Sequence, residues 1–296
     1  MGYETFKDTV LNTIRDYLPE EWKDCEISLH TRYKVNQRLE GICFQWPQDS
    51  EAELRACPVF YLQDLYDLYL AGNSVEKILR YVAGMMGEVP DSQKIRSGAF
   101  SLDGLKDSVI LQVINYKKNK EMLKEHPHRQ FLDLAVIYRA VVIDEDGRCS
   151  GVTVTHEIMK EWGMTEEELY QRAYKRTPEL FPFVRQDTGR MFGSGIIVSP
   201  GQRTLYFLST ESFRYGAAAL LYPEILEMTA EDFKGSFAIL PGSIHELYLI
   251  NDTRSQAKAW KEVVEAANEE LVDPSEWLSD SIYYYNHTEK TVSLLW

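Results

Sequence analysis

The sequence contains few cysteines and no long apolar segment, and each shortage excludes a class of protein. No CxxC pair occurs among the cysteines, so we predict neither a zinc ribbon nor a redox pair, and a reducing compartment fits best. No stretch approaches the roughly 20 apolar residues of a membrane span, and the first residues lack the features of a signal peptide. We therefore expect a cytoplasmic protein with no membrane partner. The four cysteines are Cys25, Cys43, Cys57 and Cys149.

Positive charge is also scarce in this chain of 296 residues. Lys and Arg number 32 against 46 Asp and Glu, which leaves a net charge of -14. Such a charge repels phosphate backbones, so we expect no nucleic-acid partner. The acidic residues are scattered, which is typical of a solubilising surface; the other interpretation is an acidic face that mimics DNA or recruits a basic partner.

Complete cofactor and metal motifs are missing as well. There is no Walker loop or dinucleotide fingerprint, and His156-Glu157 begins a zinc-protease motif in which Lys160 replaces the second histidine. His126 and His128 could offer two metal nitrogens, but they form no recognised metal motif. We therefore predict no metal and no cofactor. An SxxK match at Ser74 is better explained as a helix cap.

The first 90 residues show the pattern of an N-terminal α+β lobe. Apolar residues at every fourth position from Phe6 to Leu18 predict an amphipathic helix that ends at Pro19. Alternating segments then predict a three-stranded meander, and two helices follow it. The predicted strands are residues 26–33, 39–46 and 56–62, and the helices are residues 64–70 and 75–86.

A turn-rich segment at residues 87–92 predicts a boundary, so we expect domains at 1–90 and 91–296. The second lobe should combine hairpins with helices, which gives an α+β fold class with mixed, mostly antiparallel sheets and flanking helices. The glycine-rich residues 186–201 predict a connection, or else a mobile lid. The predicted strands are 109–116, 131–143, 149–155, 205–207, 237–240, 244–250, 281–285 and 291–296.

Helical signals separate these strands. A charged segment at 117–125 predicts a helix, and a capping box formed by Thr165 and Glu168 opens another, which prolines at 178 and 182 should end. A helix from residue 213 should kink or restart at Pro223, and Thr229 gives a further capping signal. The last helix, from residue 255 to 271, should cover the sheet with one apolar face.

The stretch 203–250 contains the candidate catalytic residues Ser243, His245 and Glu246 at the mouth of a predicted hairpin. Serine, histidine and a carboxylate are the groups of acyl-transfer sites. In an extended chain, however, the first two side chains face one side and the third faces the other. The alternative is a half-buried histidine at a turn. The small residues 216–219 should let another element approach closely.

Aromatic residues near the C-terminus are candidate binding residues: Trp277, Tyr283, Tyr284 and Tyr285. Alternation along a strand puts the first and third tyrosines on one face, so one face is expected in the core and one at the surface. Base stacking normally comes with basic neighbours, which are sparse here. We therefore expect core packing or a protein interface.

Three motifs carry a family resemblance: YGAAALLYP at 215–223, ILPGSIHE at 239–246 and LSDSIYYY at 278–285. They resemble an uncharacterised domain-of-unknown-function family of gut Firmicutes, and the likeness extends over nearly the whole chain. The family pattern usually has serine at the position of Gly242 and asparagine at that of Arg176. The resemblance implies a cytoplasmic bacterial protein, often on mobile elements, and no known activity.

Two functional hypotheses follow. The first is a non-enzymatic protein that binds a protein partner through its acidic surface and its tyrosine-rich hairpin. The second is a hydrolase or transferase in which His245 is the base, Ser243 or a distant hydroxyl is the nucleophile, and Glu246 or Asp280 orients the ring.

Overall fold

A computed structural model of the chain describes residues 1–45, 58–87, 102–144, 146–188, 205–251 and 256–295. It divides the chain into two compact units, Met1–Ser101 and Leu102–Trp296. The predicted domain boundary between residues 90 and 91 lies outside the described residues, as does the predicted connection from residue 189 onward. Within the described ranges, no helix is long and apolar enough to cross a membrane.

The first unit places helices against an antiparallel sheet with strand order β1-β2-β3, which confirms the predicted meander. The predicted first helix is α-helical at its start and continues as the 3-10 helix Ile14–Tyr17, so its apolar stripe stays in one core. Ser74 accepts a hydrogen bond from the backbone N–H of Lys77, and thus caps the third helix. The bounds are α1 Tyr3–Thr13, β1 Glu26–Lys34, β2 Gln37–Gln45, β3 Val59–Tyr61, α2 Leu62–Leu70 and α3 Val75–Gly87.

The second unit contains two further antiparallel sheets, and the fold class is α+β as predicted. Two 3-10 helices, Leu102–Ser108 and Gly216–Leu221, accompany its regular elements. The remaining bounds are β4 Val109–Asn115, α4 Lys120–Leu123, β5 His128–Phe131, β6 Leu134–Ile143, β7 Cys149–Thr153, α5 His156–Glu161, α6 Glu166–Leu180, β8 Phe183–Asp187, β9 Leu205–Thr210, α7 Pro223–Phe233, β10 Phe237–Pro241, β11 Leu247–Ile250, α8 Ala257–Glu270, β12 Tyr283–Asn286 and β13 Thr291–Leu294.

The six-stranded sheet has the order β13-β12-β10-β11-β9-β8. All five residues of β10 are buried, as expected for a strand in the middle of a sheet. The helix α8 covers part of this sheet, because Val264 packs with Ala238 and Ile250. The apolar face predicted for the last helix includes Val263 and Leu271, but both side chains are exposed, so the buried face is narrower than predicted.

The other sheet is built around β6, which pairs with β4 along one edge and with β5 and β7 along the other. The prediction of one strand over residues 131–143 is wrong, because the chain turns at Leu132, which has a positive φ of 56°. The predicted helix 117–125 is also wrong in length, since only Lys120–Leu123 forms an α-helical turn. The hairpin between β6 and β7 is confirmed.

The helices of the second unit follow the predictions only in part, since the helix predicted from residue 213 is a 3-10 helix that begins at Gly216. The capping box of α6 is present, with the Thr165 backbone N–H donating to Glu168 at 2.8 Å. The helix runs through Pro178 to Leu180, so the predicted end at this proline is wrong. A new helix begins at Pro223, which is the first residue of α7, as predicted. Thr229 lies inside that helix, where its hydroxyl donates to the Ile225 carbonyl, so it is not a helix cap.

Candidate functional site

A five-residue loop, Gly242 to Glu246, holds the predicted catalytic residues. The strands β10 and β11 pair with Pro241 opposite Leu247, so the hairpin partner begins three residues later than predicted. The backbone N–H groups of Gly242 and Ser243 both donate to the carbonyl oxygen of Glu246, at 3.0 and 3.1 Å. These bonds close the loop and remove the strict alternation of side chains that an extended chain would impose.

The His245 ring is held at both nitrogens. The Tyr215 backbone N–H donates to Nδ1 at 3.0 Å, and Nε2 lies 3.4 Å from Oε1 of Glu276. Because Nδ1 accepts, the ring proton is assigned to Nε2, where it faces the carboxylate. Burial lowers the pKa of His245 and nearby Arg214 lowers it further, while Glu276 acts in the opposite direction. The ring is therefore neutral and oriented, with its side chain 22% exposed.

Ser243 contacts other atoms of the same loop. Its hydroxyl accepts a hydrogen bond from the backbone N–H of His245 at 3.0 Å. Burial raises the pKa of Glu246, and a hydrogen bond from the Ser243 side chain acts against that rise. Among the described residues, the ring nitrogens of His245 bind Tyr215 and Glu276 rather than this hydroxyl. The structure thus brings the three predicted residues into one loop without pairing nucleophile and base, and their catalytic role stays a prediction.

The backbone of His245 is held as closely as its ring. Its carbonyl oxygen accepts hydrogen bonds from the Ser209 hydroxyl at 2.7 Å and from the Gly216 N–H at 3.0 Å. A Cβ at position 216 would lie 2.2 Å from that oxygen and 2.6 Å from the Ser209 Cα. Only glycine permits this approach. The close contact predicted for residues 216–219 is therefore confirmed, and the approaching element is the His245 loop.

The predicted binding tyrosines are largely internal. Tyr283 and Tyr285 are buried, whereas Tyr284 is half-buried on the opposite face of β12. The Tyr283 hydroxyl donates to Asp133 Oδ1 at 2.9 Å, and Tyr285 packs against Phe237 with ring centroids 5.2 Å apart. The predicted division into a core face and an outer face is confirmed. A binding role for these tyrosines stays a prediction.

Trp277 is half-buried and has defined contacts on its face and its edge. The Lys118 ammonium lies 3.8 Å from the centroid of the indole ring, and the indole N–H donates to Asp280 Oδ1 at 3.0 Å. Asn268 donates to the same oxygen at 2.7 Å. Asp280 therefore anchors the segment before β12, and the contacts of the His245 ring described above are with Tyr215 and Glu276 instead.

The first unit contains an apolar groove between α2 and α3, which we call the α2–α3 groove. Leu68, Ile78 and Tyr81 line a cavity of about 250 Å³, with Asn73 and Lys77 at its polar rim. Ile78 is buried, whereas Leu68 is 38% and Tyr81 53% exposed. The Asn73 side chain donates to the Leu68 carbonyl at 2.8 Å and accepts from Lys77 Nζ at 2.8 Å. The rim is thus ordered by its own hydrogen bonds.

Comparison with known proteins gives a family for the chain. The model of DUF5688, a family of unknown function, matches residues 3–287. The chain belongs to this family. Searches of the curated proteins and of the solved structures found no match. The resemblance to an uncharacterised family is thereby confirmed.

Two features of this DUF5688 chain escaped the sequence analysis. Glu276, the carboxylate beside His245, lies 31 residues beyond it and in no motif with it, so only the fold brings them together. The α2–α3 groove did leave a signal. Leu68 and Tyr81 are apolar residues outside the buried positions of their helices.

Proposed function

We propose that this DUF5688 protein is a non-enzymatic binding protein, and that it binds another protein through the α2–α3 groove. The observation that carries the proposal is the exposure of Tyr81 and Leu68 in the lining of a cavity that also includes the buried Ile78. Binding energy in protein interfaces concentrates at a few residues in well-packed pockets, and tyrosine is one of the residue types enriched among them, which favours Tyr81 as the main contact. The polar rim formed by Asn73 and Lys77 matches the surroundings of these hot spots.

The size of the cavity favours a protein side chain as its occupant. Small-molecule pockets typically span about 300–1,000 Å³, and the α2–α3 groove encloses about 250 Å³. One large apolar side chain fits this space, and its full burial contributes about 1.5–3 kcal/mol. We therefore propose a partner that inserts a leucine-sized or aromatic residue between Leu68 and Tyr81.

The competing proposal is a hydrolase or transferase with His245 as base. General-base catalysis requires the base within hydrogen-bond reach of the proton that it removes. The ring nitrogens of His245 instead contact the Tyr215 backbone and Glu276, and its carbonyl joins the loop to Gly216. These contacts support an architectural role for the loop and favour the binding proposal.

We also propose that the protein works in a bacterial cytoplasm. Cys25, Cys43 and Cys149 are free thiols, and the first two are buried. Unpaired cysteines of this kind are typical of a reducing compartment.

Site-specific photo-crosslinking in the cells that produce the protein tests the groove. Tyr81→p-benzoylphenylalanine places the reactive group at the groove, and we expect a discrete adduct with a different protein. Adding Leu68→Asp should abolish this adduct, because a carboxylate on the wall opposes burial of an apolar side chain. The control probe is Leu271→p-benzoylphenylalanine, an apolar position that directly follows α8 and is 82% exposed.

Three results would overturn the proposal. The first is equal labelling from the two probe positions, and the second is an adduct that persists with Leu68→Asp. The third is an adduct whose mass is that of two copies of this chain, because the occupant would then be a second copy. Circular dichroism of each variant should match the wild type, so that a lost adduct reports the groove and not misfolding.

A further inference from the structure

A basic cleft in the second unit contrasts with the acidic composition of the chain. It lies between the 3-10 helix Leu102–Ser108 and α6, with Val109 in its lining, and encloses about 330 Å³. Four cationic side chains and two carboxylates surround it, in a protein whose net charge is -14. The cationic residues are Lys106, Arg172, Lys175 and Arg176, and the carboxylates are Asp107 and Glu179.

The fold fixes the orientation of α6 and therefore the position of these charges. Thr177 is fully buried, accepts a hydrogen bond from the Leu111 N–H at 2.8 Å and donates to the Ala173 carbonyl at 2.6 Å. The bond from the Leu111 N–H attaches the inner face of α6 to β4. Arg172 and Arg176 are four residues apart and so lie on one side of the helix. Because the inner face of α6 is attached to β4, the rotation of the helix is fixed. This rotation determines which side chains line the cleft.

The carboxylates neutralise only part of this positive charge. Arg172 Nη1 lies 3.1 Å from Asp107 Oδ1, and Arg176 Nη1 lies 2.7 Å from Glu179 Oε2. In the part of the chain that the structure describes, Lys175 has no ion pair. The Arg172 and Arg176 side chains are 50% and 42% exposed, so the free N–H groups of their guanidinium groups are accessible to an oxyanion in the cleft.

We propose that this cleft binds a soluble small molecule that carries a phosphate group. Guanidinium groups match the geometry of phosphate oxygens, and cationic side chains outnumber the carboxylates in the lining of the cleft, which favours an anionic group. The volume falls within the range of small-molecule pockets. The net charge of the whole chain opposes extended polyanions and anionic membrane surfaces, which favours a small, freely diffusing ligand.

Isothermal titration calorimetry with glucose 6-phosphate and inorganic phosphate tests this site, at one ionic strength set with potassium chloride. We expect the ester to bind the wild-type protein, and Arg176→Gln to raise its Kd about tenfold or more, as loss of a charge-assisted hydrogen bond predicts. The control is Arg148→Gln, which removes the same charge from an exposed arginine paired with Asp144. The control should leave the Kd unchanged.

Lys175→Gln provides a second variant, because its side chain is exposed and its loss should not disturb the fold. It should also weaken binding of the ester, with an unchanged melting temperature. The proposal is overturned if glucose 6-phosphate gives no heat beyond that of chloride, or if Arg176→Gln and Arg148→Gln weaken it equally. It is also overturned if phosphatidic acid vesicles bind while the soluble ester does not, since the ligand would then be a lipid headgroup.

Discussion

Arg129 shows how a single charge is accommodated inside this acidic protein. Its guanidinium donates two hydrogen bonds to the Glu166 carboxylate, both at 2.9 Å, and lies 3.8 Å from the centroid of the Tyr170 ring. The hydroxyl of the buried Tyr138 also donates to Glu166. Burial raises the pKa of Glu166, but the hydrogen bonds from Arg129 and Tyr138 outweigh it and hold the pKa below its usual value.

Glu166→Gln should lower the free energy of unfolding at pH 7 by about 1–2 kcal/mol, because charge-assisted hydrogen bonds are lost at a partly exposed site. The sign of the pH dependence follows from the lowered pKa. The contribution of Glu166 is present above the usual pKa of 4.5 and disappears as the pH falls through the lower folded value. Urea unfolding at a series of pH values should therefore show wild type and variant converging in acid.

The control for this measurement is Glu121→Gln, which breaks an exposed ion pair with Lys124 in the same unit. It should change the stability by less than about 0.5 kcal/mol. A difference between wild type and Glu166→Gln that stays constant down to the acid limit would show that the charge of Glu166 contributes nothing.

At the scale of the elements, local patterns predicted what local forces determine. The apolar spacing of the first helix, the alternation of β1 and β2 and the Thr165 capping box all act within about four residues of the chain. The helix, the two strands and the capping box are each confirmed, although burial along β2 does not alternate. In the candidate site, the small residues 216–219 predicted that another element packs closely against them. The sequence did not show that this element is the loop containing His245.

The elements that the sequence analysis misjudged depend on distant contacts. Pro178 cannot donate to the carbonyl of Tyr174, one turn earlier in α6, so a break was expected there. The Tyr222 hydroxyl donates to that carbonyl instead, at 2.6 Å, and the helix continues. The turn at Leu132 has no glycine or asparagine to mark it. It is held through Asp133, which contacts residues about 150 positions away.

Asp133 joins the turn between β5 and β6 to the C-terminal hairpin. Its Oδ2 accepts hydrogen bonds from the hydroxyls of Ser279 at 2.6 Å and Ser281 at 3.0 Å, and its Oδ1 accepts one from Tyr283. Asp133→Asn replaces one acceptor oxygen with a donor, so we expect a loss of about 1–3 kcal/mol. Hydrogen exchange should show this loss as reduced protection of Tyr283–Asn286.

The matched control is Asp146→Asn, which alters a largely exposed carboxylate paired with Arg148. Its effect on the amide protection of β12 should be negligible. Unchanged protection of β12 in Asp133→Asn would mean that packing alone holds the hairpin, and that the hydroxyl cluster contributes no net stability.

At the scale of the whole molecule, each unit has an apolar core of its own. The first contains a cluster that includes Phe6, Trp22 and Phe44. The second contains a cluster around Ala238 and another around Ile110. The units contain 101 and 195 residues, and each is therefore above the minimum size that a single domain needs to fold alone. We therefore expect two independent domains.

Separate expression of residues 1–101 and 102–296 tests this expectation. Each fragment should unfold cooperatively in urea, with near-ultraviolet circular dichroism that sums to the spectrum of the intact chain. A cut between residues 90 and 91 should serve equally well, because it also falls after α3 and before β4. The control cut between residues 132 and 133 separates β5 from β6 and should give fragments that do not fold. If residues 102–296 lack a cooperative transition that the intact chain shows, the second unit depends on the first and the two-domain prediction is wrong.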